Sequence, residues 1–278
     1  MKTPLQIISI VLAVLCVSQD ASPQTGVSSR SLDFARSLIL EGEYYRAITE
    51  FKRELFYASP DDLSFRADAI MGIGEAYYAG REFERCGEWV YAHLGDLQAA
   101  SRDRDGAILM CRAYLDAGAG NRLLNILETA PNVPVSETEY YRPLALANVR
   151  RWADAREAFS RVASGDPYKS TADDHARIAQ RAADASWKRP AVAGWLAILP
   201  GAGYLYADHW QTGIAALLVN LAFFGATYQA FDSDMPFLGG FLALVSASWY
   251  GSSIYGSTEA VRRYNDRLQD DFWSELRY

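Results

Sequence analysis

Apolar residues in the segment from 32 to 186 recur at spacings of three and four, and glycine, aspartate and proline interrupt the pattern. This spacing places the apolar side chains on one face of an α-helix, whereas a strand would show alternation. The interruptions are typical of turns between helices. The pattern therefore predicts an all-α fold, with a domain of helical hairpins over residues 31–186.

One spacing recurs within this domain. It consists of a small residue, an apolar residue three positions later, a turn, an aromatic residue, and a small residue followed four positions on by an apolar one. The first copy contains Ala35, Leu38, Gly42, Tyr44, Ala47 and Phe51. The second contains Gly74, Tyr77, Phe83, Cys86 and Val90, and a later one Leu146, Trp152, Ala155, Phe159, Val162 and Pro167. A degenerate copy between them contains Cys111, Tyr114, Gly118, Leu123 and Leu127.

This repeat resembles the tetratricopeptide repeat, a helix–turn–helix unit of about 34 residues. The resemblance implies that the hairpins stack into a solenoid with a groove that binds peptides or partner helices. A helical bundle without repeats is the alternative. The residues expected to pack the repeats together are Ala35, Gly42, Ala47, Phe51, Gly74, Tyr77, Cys86, Ala155, Phe159 and Pro167.

The segment from 190 to 256 contains almost no charge and predicts a membrane domain. Segments 213–231 and 236–255 are each long and apolar enough to cross a bilayer as a helix, and a short acidic link makes them a transmembrane hairpin. Asn220 is the notable polar residue inside them, and we expect it to form a hydrogen bond between the two helices. A substrate or ion site at Asn220 is the alternative interpretation.

Residues 190–208 are too short an apolar run to cross a membrane comfortably, and proline and glycine interrupt them, so we predict an interfacial or re-entrant segment. A third crossing here remains the alternative. The turn contains Pro200, Gly201, Gly203, Tyr204 and Tyr206, followed by Gly213. This motif resembles the Pro-Gly-x-Gly-x-x-Tyr turn of bacterial two-transmembrane-helix domains of unknown function. Asp208 departs from that family, which typically has glycine at this position.

Residues 257–278 place Val261, Tyr264, Leu268 and Phe272 on one stripe. This pattern predicts an amphipathic tail helix, which either lies on the membrane surface or packs back on the repeats.

The N-terminus has a short basic start and a brief apolar core, which predict a signal peptide over residues 1–21. Such a signal places the repeat domain outside the cytoplasm, anchored in the bacterial inner membrane and facing the periplasm. The charges near the predicted spans favour the opposite orientation. Positively charged residues usually lie on the cytoplasmic side, but an exported repeat domain puts Lys188 and Arg189 outside. We follow the signal, because large domains translocate largely regardless of charge.

Charge, cysteine spacing and histidine context argue against several functional classes. The net charge is −7 and no segment is a basic stripe, so we expect no nucleic-acid partner. Cys86 and Cys111 would remain after signal cleavage, without a CxxC motif or a nearby histidine pair, so we expect no metal. They are interpreted either as a disulfide or as two buried side chains. None of the three histidines lies in a nucleophile-elbow or HExxH context, so we expect neither an enzyme nor a cofactor.

The sequence therefore favours a membrane-anchored, exported scaffold that binds proteins through the repeat groove and takes part in envelope protein assembly or insertion. The alternative is a regulatory or structural subunit of a helical channel or transporter. The expected partners are proteins, the lipid bilayer, and a second copy of the chain through the membrane helices.

Overall fold

The computed structural model describes residues 28–276, and side chains are described from residue 32 onward. All regular elements in this range are helices, which confirms the predicted all-α fold. The predicted signal peptide at 1–21 and the last two residues of the predicted tail lie outside the described residues. The chain divides into two compact units, and the division falls after residue 117, inside the predicted repeat domain.

The first unit contains six helices and also includes residues 131–134. The helices are α1 (Ser28–Leu40), α2 (Tyr44–Tyr57), α3 (Leu63–Ala79), α4 (Phe83–Ala92), α5 (Leu94–Ala99) and α6 (Asp103–Asp116). Helices α1 and α2 form one hairpin and α3 and α4 form the next, while α6 packs on α4. Helix α3 also contacts α1 and α6, so the first helices of successive hairpins lie side by side. Asp62 caps the start of α3 by accepting a hydrogen bond from the backbone N–H of Phe65 at 3.1 Å.

Glycines let the helices of this unit approach closely. A Cβ atom on Gly72 would lie 2.5 Å from the ring of Phe51, and one on Gly87 would lie 2.7 Å from the ring of Tyr114. Both distances are shorter than a van der Waals contact between carbon atoms. The aromatic rings therefore fill the space that a larger residue at positions 72 and 87 would need.

The second unit contains the remaining helical hairpins and the apolar C-terminal helices. Its first four helices are α7 (Gly120–Thr129), α8 (Val135–Asn148), α9 (Trp152–Ser160) and α10 (Lys169–Ala183). Each of these four helices packs on the next. The largest fully buried side chains among them are those of Tyr141, Leu144 and Phe159.

Four further helices complete the second unit: α11 (Pro190–Leu196), α12 (Ala202–Tyr206), α13 (Trp210–Asp232) and α14 (Pro236–Glu275). Helices α13 and α14 pack against each other as a hairpin, and α11 and α12 pack on α14. At 1.5 Å per residue, the 40 residues of α14 extend about 60 Å. The sequence predicts a span over 236–255 and a separate tail from 257, but the structure joins them in one helix. No proline interrupts this helix after its first residue, and the glycine at 256 packs against Tyr204.

Candidate membrane anchor and interaction surface

Helices α13 and α14 are the two helices in residues 28–276 that are long and apolar enough to cross a membrane. Only 11% and 17% of their most apolar windows are buried, so both expose apolar surface, unlike the core helix of a soluble protein. Helices α11 and α12 have seven and five residues, which is too short for a crossing. Within the described chain, the candidate crossings are therefore α13 and α14, and residues 190–208 contain no helix long enough for a third. We keep the name interfacial segment for residues 190–208, after the prediction from the sequence.

The hydrogen bond that joins α13 and α14 is formed by hydroxyl groups. The Oγ1 atom of Thr227 lies 3.2 Å from the Oγ atom of Ser246 on the neighbouring helix. Asn220 is buried, but its Nδ2 atom donates to the carbonyl oxygen of Ala216 in its own helix at 2.7 Å. The hydrogen bond between the two helices is thus formed by Thr227, two turns along α13 from Asn220, and not by Asn220 itself.

Three glycines of the predicted turn motif allow a close approach between backbone segments. Gly201 has a φ of +87°, and a Cβ atom there would overlap the carbonyl oxygen of Gly213. A Cβ atom on Gly203 would lie 2.6 Å from the carbonyl oxygen of Ala193 and from the Oγ atom of Ser257. Larger residues at 201 and 203 would therefore push α12 away from α13 and α14.

The two tyrosines of the motif complete the same packing. The hydroxyl group of Tyr206 accepts a hydrogen bond from the backbone N–H of Arg189 at 3.1 Å. The Tyr204 hydroxyl lies against the backbone of Gly256. Pro200 stands in the turn between α11 and α12, where a helix has to end. The motif is thus a packing device that holds the interfacial segment on α14.

Lys188 is fixed at the entrance to this segment. Its backbone N–H donates to the Oδ1 atom of Asn265 at 3.0 Å, and its carbonyl oxygen accepts from Asn265 Nδ2 at 2.7 Å. The Lys188 side chain is only 13% exposed; it forms an ion pair with Asp208, and its Nζ atom lies 4.0 Å from the ring centroid of Tyr264. A cation close to an aromatic ring face is stabilised by the ring electrons.

Asp208 stands in a turn that needs a left-handed backbone. Asp208 has a φ of +63°, in the region that glycine adopts most easily and aspartate tolerates better than most residues. Aspartate therefore fits the turn and also supplies the carboxylate that pairs with Lys188.

The C-terminal half of α14 packs on the last helical hairpins, which decides between the two alternatives for the tail. The indole Nε1 atom of Trp152 donates to Gln269 Oε1 at 3.0 Å, and Gln269 Nε2 donates to the carbonyl oxygen of Ala147 at 3.0 Å. The rings of Trp152 and Phe272 lie 5.9 Å apart. Exposed ion pairs lie around this contact, one between Arg150 and Asp266 and one between Arg181 and Glu275.

The interfacial segment presents an apolar surface away from α14. Its packed side includes the small residues Ala193 and Ala207 together with Tyr204 and Tyr206. Trp195 is 76% exposed and Leu199 69%, and the neighbouring Trp210, the first residue of α13, is 61% exposed. Tryptophan is enriched at membrane–water interfaces, and this surface is continuous along the chain with α13.

A second candidate surface lies in the first unit, where α1, α3 and the start of α6 meet. Glu75 of α3 is exposed, and no hydrogen bond or ion pair to it occurs in the described chain. Its neighbouring cations are engaged elsewhere: Arg36 pairs with Asp33, and Arg102 pairs with Asp68 and Asp105, at distances from 2.7 to 3.2 Å. Burial by the surrounding helices raises the pKa of Glu75, although Arg36 and Arg102 oppose this effect.

The structure places most of the predicted repeat-packing residues in the interior. Side chains that are fully buried belong to Ala35, Ala47, Phe51, Cys86, Ala155 and Phe159. Gly74 is buried and Tyr77 partly so. Gly42 lies in a turn with a φ of +81°, and Pro167 is exposed in the loop between α9 and α10, so neither fills the core. The close-packed glycines at 72 and 87 were not among the predicted residues.

The structure also bears on the residues with potential chemistry. Cys86 is a buried free thiol, so no disulfide joins it to Cys111. Burial raises the pKa of Cys86 to about 12. Within residues 28–276, no group of three or more histidine, cysteine and acidic side chains could hold a metal ion. His175 is buried between Tyr140 and Phe159, and burial lowers its pKa.

Comparisons with protein-family models, with curated proteins and with solved structures found no match to this chain.

Proposed function

We propose that this protein is an exported helical-repeat scaffold, anchored in the bacterial inner membrane, that binds partner proteins in the cell envelope. The observation that carries this proposal is the continuous helix α14. Its apolar half pairs with α13, and its polar half contributes Gln269 to the buried packing of the last helical hairpins. The anchor and the helical hairpins of the second unit therefore share one helix, whereas a flexible linker would leave them independent.

This shared helix constrains the topology. The tail of α14 contacts α8, α9 and α10, so the tail and these hairpins lie on the same side of the membrane. Two crossings satisfy this condition and three do not. Export then places both outside, with the acidic Asp232–Asp234 link in the cytoplasm. The arginines near α14 favour the opposite orientation, so the proposal depends on the N-terminal signal dominating.

The partner-binding part of the proposal rests on the first unit. Its hairpins place α1, α3 and α6 side by side, and the surface they form holds an exposed carboxylate, Glu75, with no ion pair in the described chain. Repeated helical hairpins commonly bind segments of other proteins along such a surface. We propose envelope protein assembly or insertion as the process. A channel subunit is less favoured, because segments 213–231 and 236–255 carry no charge that could line an ion path.

Cysteine labelling in intact cells tests the topology. Single cysteines replace three exposed residues, Asp96, Ser233 and Ser274, and the cells are treated with a membrane-impermeant maleimide. We expect the positions at 96 and 274 to react in intact cells and the position at 233 to react only after permeabilisation. Reaction at 233 alone would reverse the orientation, and reaction at 96 and 274 on different sides would contradict the shared-helix topology.

Photo-crosslinking tests partner binding. A photoreactive residue is introduced at Glu75, and in a matched control at Arg177, an exposed residue of α10. We expect position 75 to yield a discrete adduct with the same envelope protein in repeated experiments, and position 177 to yield none. Equal adducts from both positions would indicate nonspecific contact and contradict a binding surface at Glu75.

A further inference from the structure

Three exposed arginines lie just beyond the apolar part of α14, beside the interfacial segment. Arg262 and Arg263 follow the apolar end of the helix at Tyr255 by seven and eight residues, or about 10–12 Å. Arg189 lies at the same level, because the neighbouring Lys188 is hydrogen-bonded to Asn265 on both its backbone N–H and its carbonyl group. We call these three residues the basic collar.

Most of the positive charge of the basic collar is not compensated. Arg262 and Arg263 share a single carboxylate, that of Glu259, at 3.4 and 4.0 Å. Arg189 forms no ion pair in the part of the chain that the structure describes. Three positive charges thus face one negative charge, while the nearby Lys188 and Asp208 neutralise each other. This local excess contrasts with the net charge of −7 for the whole chain.

The basic collar also has the right position for lipid headgroups. The apolar surface formed by Trp195, Leu199 and Trp210 places the interfacial segment at the edge of the hydrocarbon region. Side chains on a helix lean toward its N-terminus, so Arg262 and Arg263 lean from α14 back toward the apolar hairpin. The opposite end of the hairpin differs, because the link there contains Asp232 and Asp234 and no cation.

We propose that the basic collar binds the phosphate groups of anionic phospholipids, and that this enrichment occurs only in the leaflet on the repeat side. This inference rests on the proposed membrane anchor. A lysine or arginine near an anionic membrane surface contributes roughly a fivefold gain in binding. Two uncompensated charges therefore predict an enrichment of roughly 25-fold over a neutral lipid.

The full chain, reconstituted in vesicles of phosphatidylcholine with a minority of phosphatidylglycerol, allows a direct test. Brominated acyl chains quench nearby tryptophan, and they are placed either on the phosphatidylglycerol or on an equal amount of the phosphatidylcholine. The contribution of Trp195 is obtained as the difference from a Trp195→Phe variant. We expect brominated phosphatidylglycerol to quench Trp195 more strongly than brominated phosphatidylcholine.

Variants assign this preference to the collar. Replacing all three collar arginines by glutamine should abolish it, whereas replacing them by lysine should retain it. The matched control changes Arg53, Arg161 and Arg177 to glutamine, which removes the same charge from exposed positions elsewhere and should leave the preference unchanged.

Other outcomes separate this inference from the proposed function. Equal quenching by both brominated lipids in the unmodified protein would overturn the lipid preference and leave the anchor intact. A preference that survives in the glutamine variant would overturn the role of the collar. No quenching of Trp195 by either lipid would place the interfacial segment away from the bilayer and overturn this inference. No quenching of any tryptophan, including Trp249 in the predicted span, would contradict the anchor as well.

Discussion

Replacing Gln269 by leucine should detach the tail of α14 from the last helical hairpins. The buried amide of Gln269 accepts one hydrogen bond, from Trp152, and donates one, to the carbonyl oxygen of Ala147. Leucine leaves the buried indole N–H of Trp152 without a hydrogen bond, at a cost of about 1–3 kcal/mol, whereas the carbonyl oxygen of Ala147 still accepts from the backbone N–H of Arg150 at 3.0 Å. The greater burial of apolar surface by leucine offsets part of this loss. We expect a net destabilisation of about 1 kcal/mol, or roughly a fivefold increase in the open population.

Hydrogen exchange measured by mass spectrometry on the full chain in detergent reports this opening. Backbone amides in residues 257–275 should exchange faster in the Gln269→Leu variant, while those of the first unit should be unchanged. Gln98→Leu, the same substitution at an exposed position, is the control and should have no effect. In addition, Trp152→Phe combined with Gln269→Leu should be less destabilising than the sum of the single changes. Unchanged exchange in residues 257–275, or full additivity, would refute the coupling through Gln269.

Three further predictions concern single residues. Gly201→Ala should destabilise the interfacial segment by at least about 1–2 kcal/mol, because residue 201 has a positive φ and its Cβ would overlap Gly213. Thermal unfolding in detergent measures this loss. Gly240→Ala is the control, because a Cβ atom at residue 240 meets no atom within 4 Å. Burial lowers the pKa of His175 below its ordinary value of 6.5, so His175 binds a proton more readily in the unfolded chain than in the folded one. The stability of the fold should therefore be full above about pH 6.5 and should fall as the pH drops below this value. Denaturant titrations across this range should show a flatter profile for His175→Gln, and an identical profile would contradict the assignment. Since burial raises the pKa of Cys86 to about 12, this thiol should react with maleimide at neutral pH only after unfolding.

The sequence predicts the helical elements well, because each depends on local patterns. The two candidate membrane helices are evident from the uncharged segments, and the stripe of Val261, Tyr264, Leu268 and Phe272 correctly marks a helix. Residues 213–231 and 236–255 fall within helices whose ends extend further. The role of the buried glycines at 72 and 87 could not be predicted from the sequence, because it depends on aromatic rings that are distant along the chain.

The polar contacts of the second unit could not be predicted for the same reason. Asn265 and Gln269 are polar residues of the tail that the stripe of apolar residues does not include, and both are buried. Their hydrogen-bond partners are Lys188, Trp152 and Ala147, which are 77 to 122 residues away. The pairing of Lys188 with Asp208 likewise depends on the turn that brings residue 208 back to the start of the segment. Such contacts leave no periodic trace in a single sequence.

The separation of 117 residues between Trp152 and Gln269 also has a consequence for the order of events during biogenesis. A ribosome releases Trp152 long before Gln269, and the apolar hairpin lies between them. In the topology that we propose, the indole N–H of Trp152 therefore lacks its partner until both hairpin helices have inserted and the C-terminus has returned to the same side. On that proposal, the helical hairpins that contact Gln269 complete their packing only after membrane insertion, and their protease resistance in cells should report successful insertion.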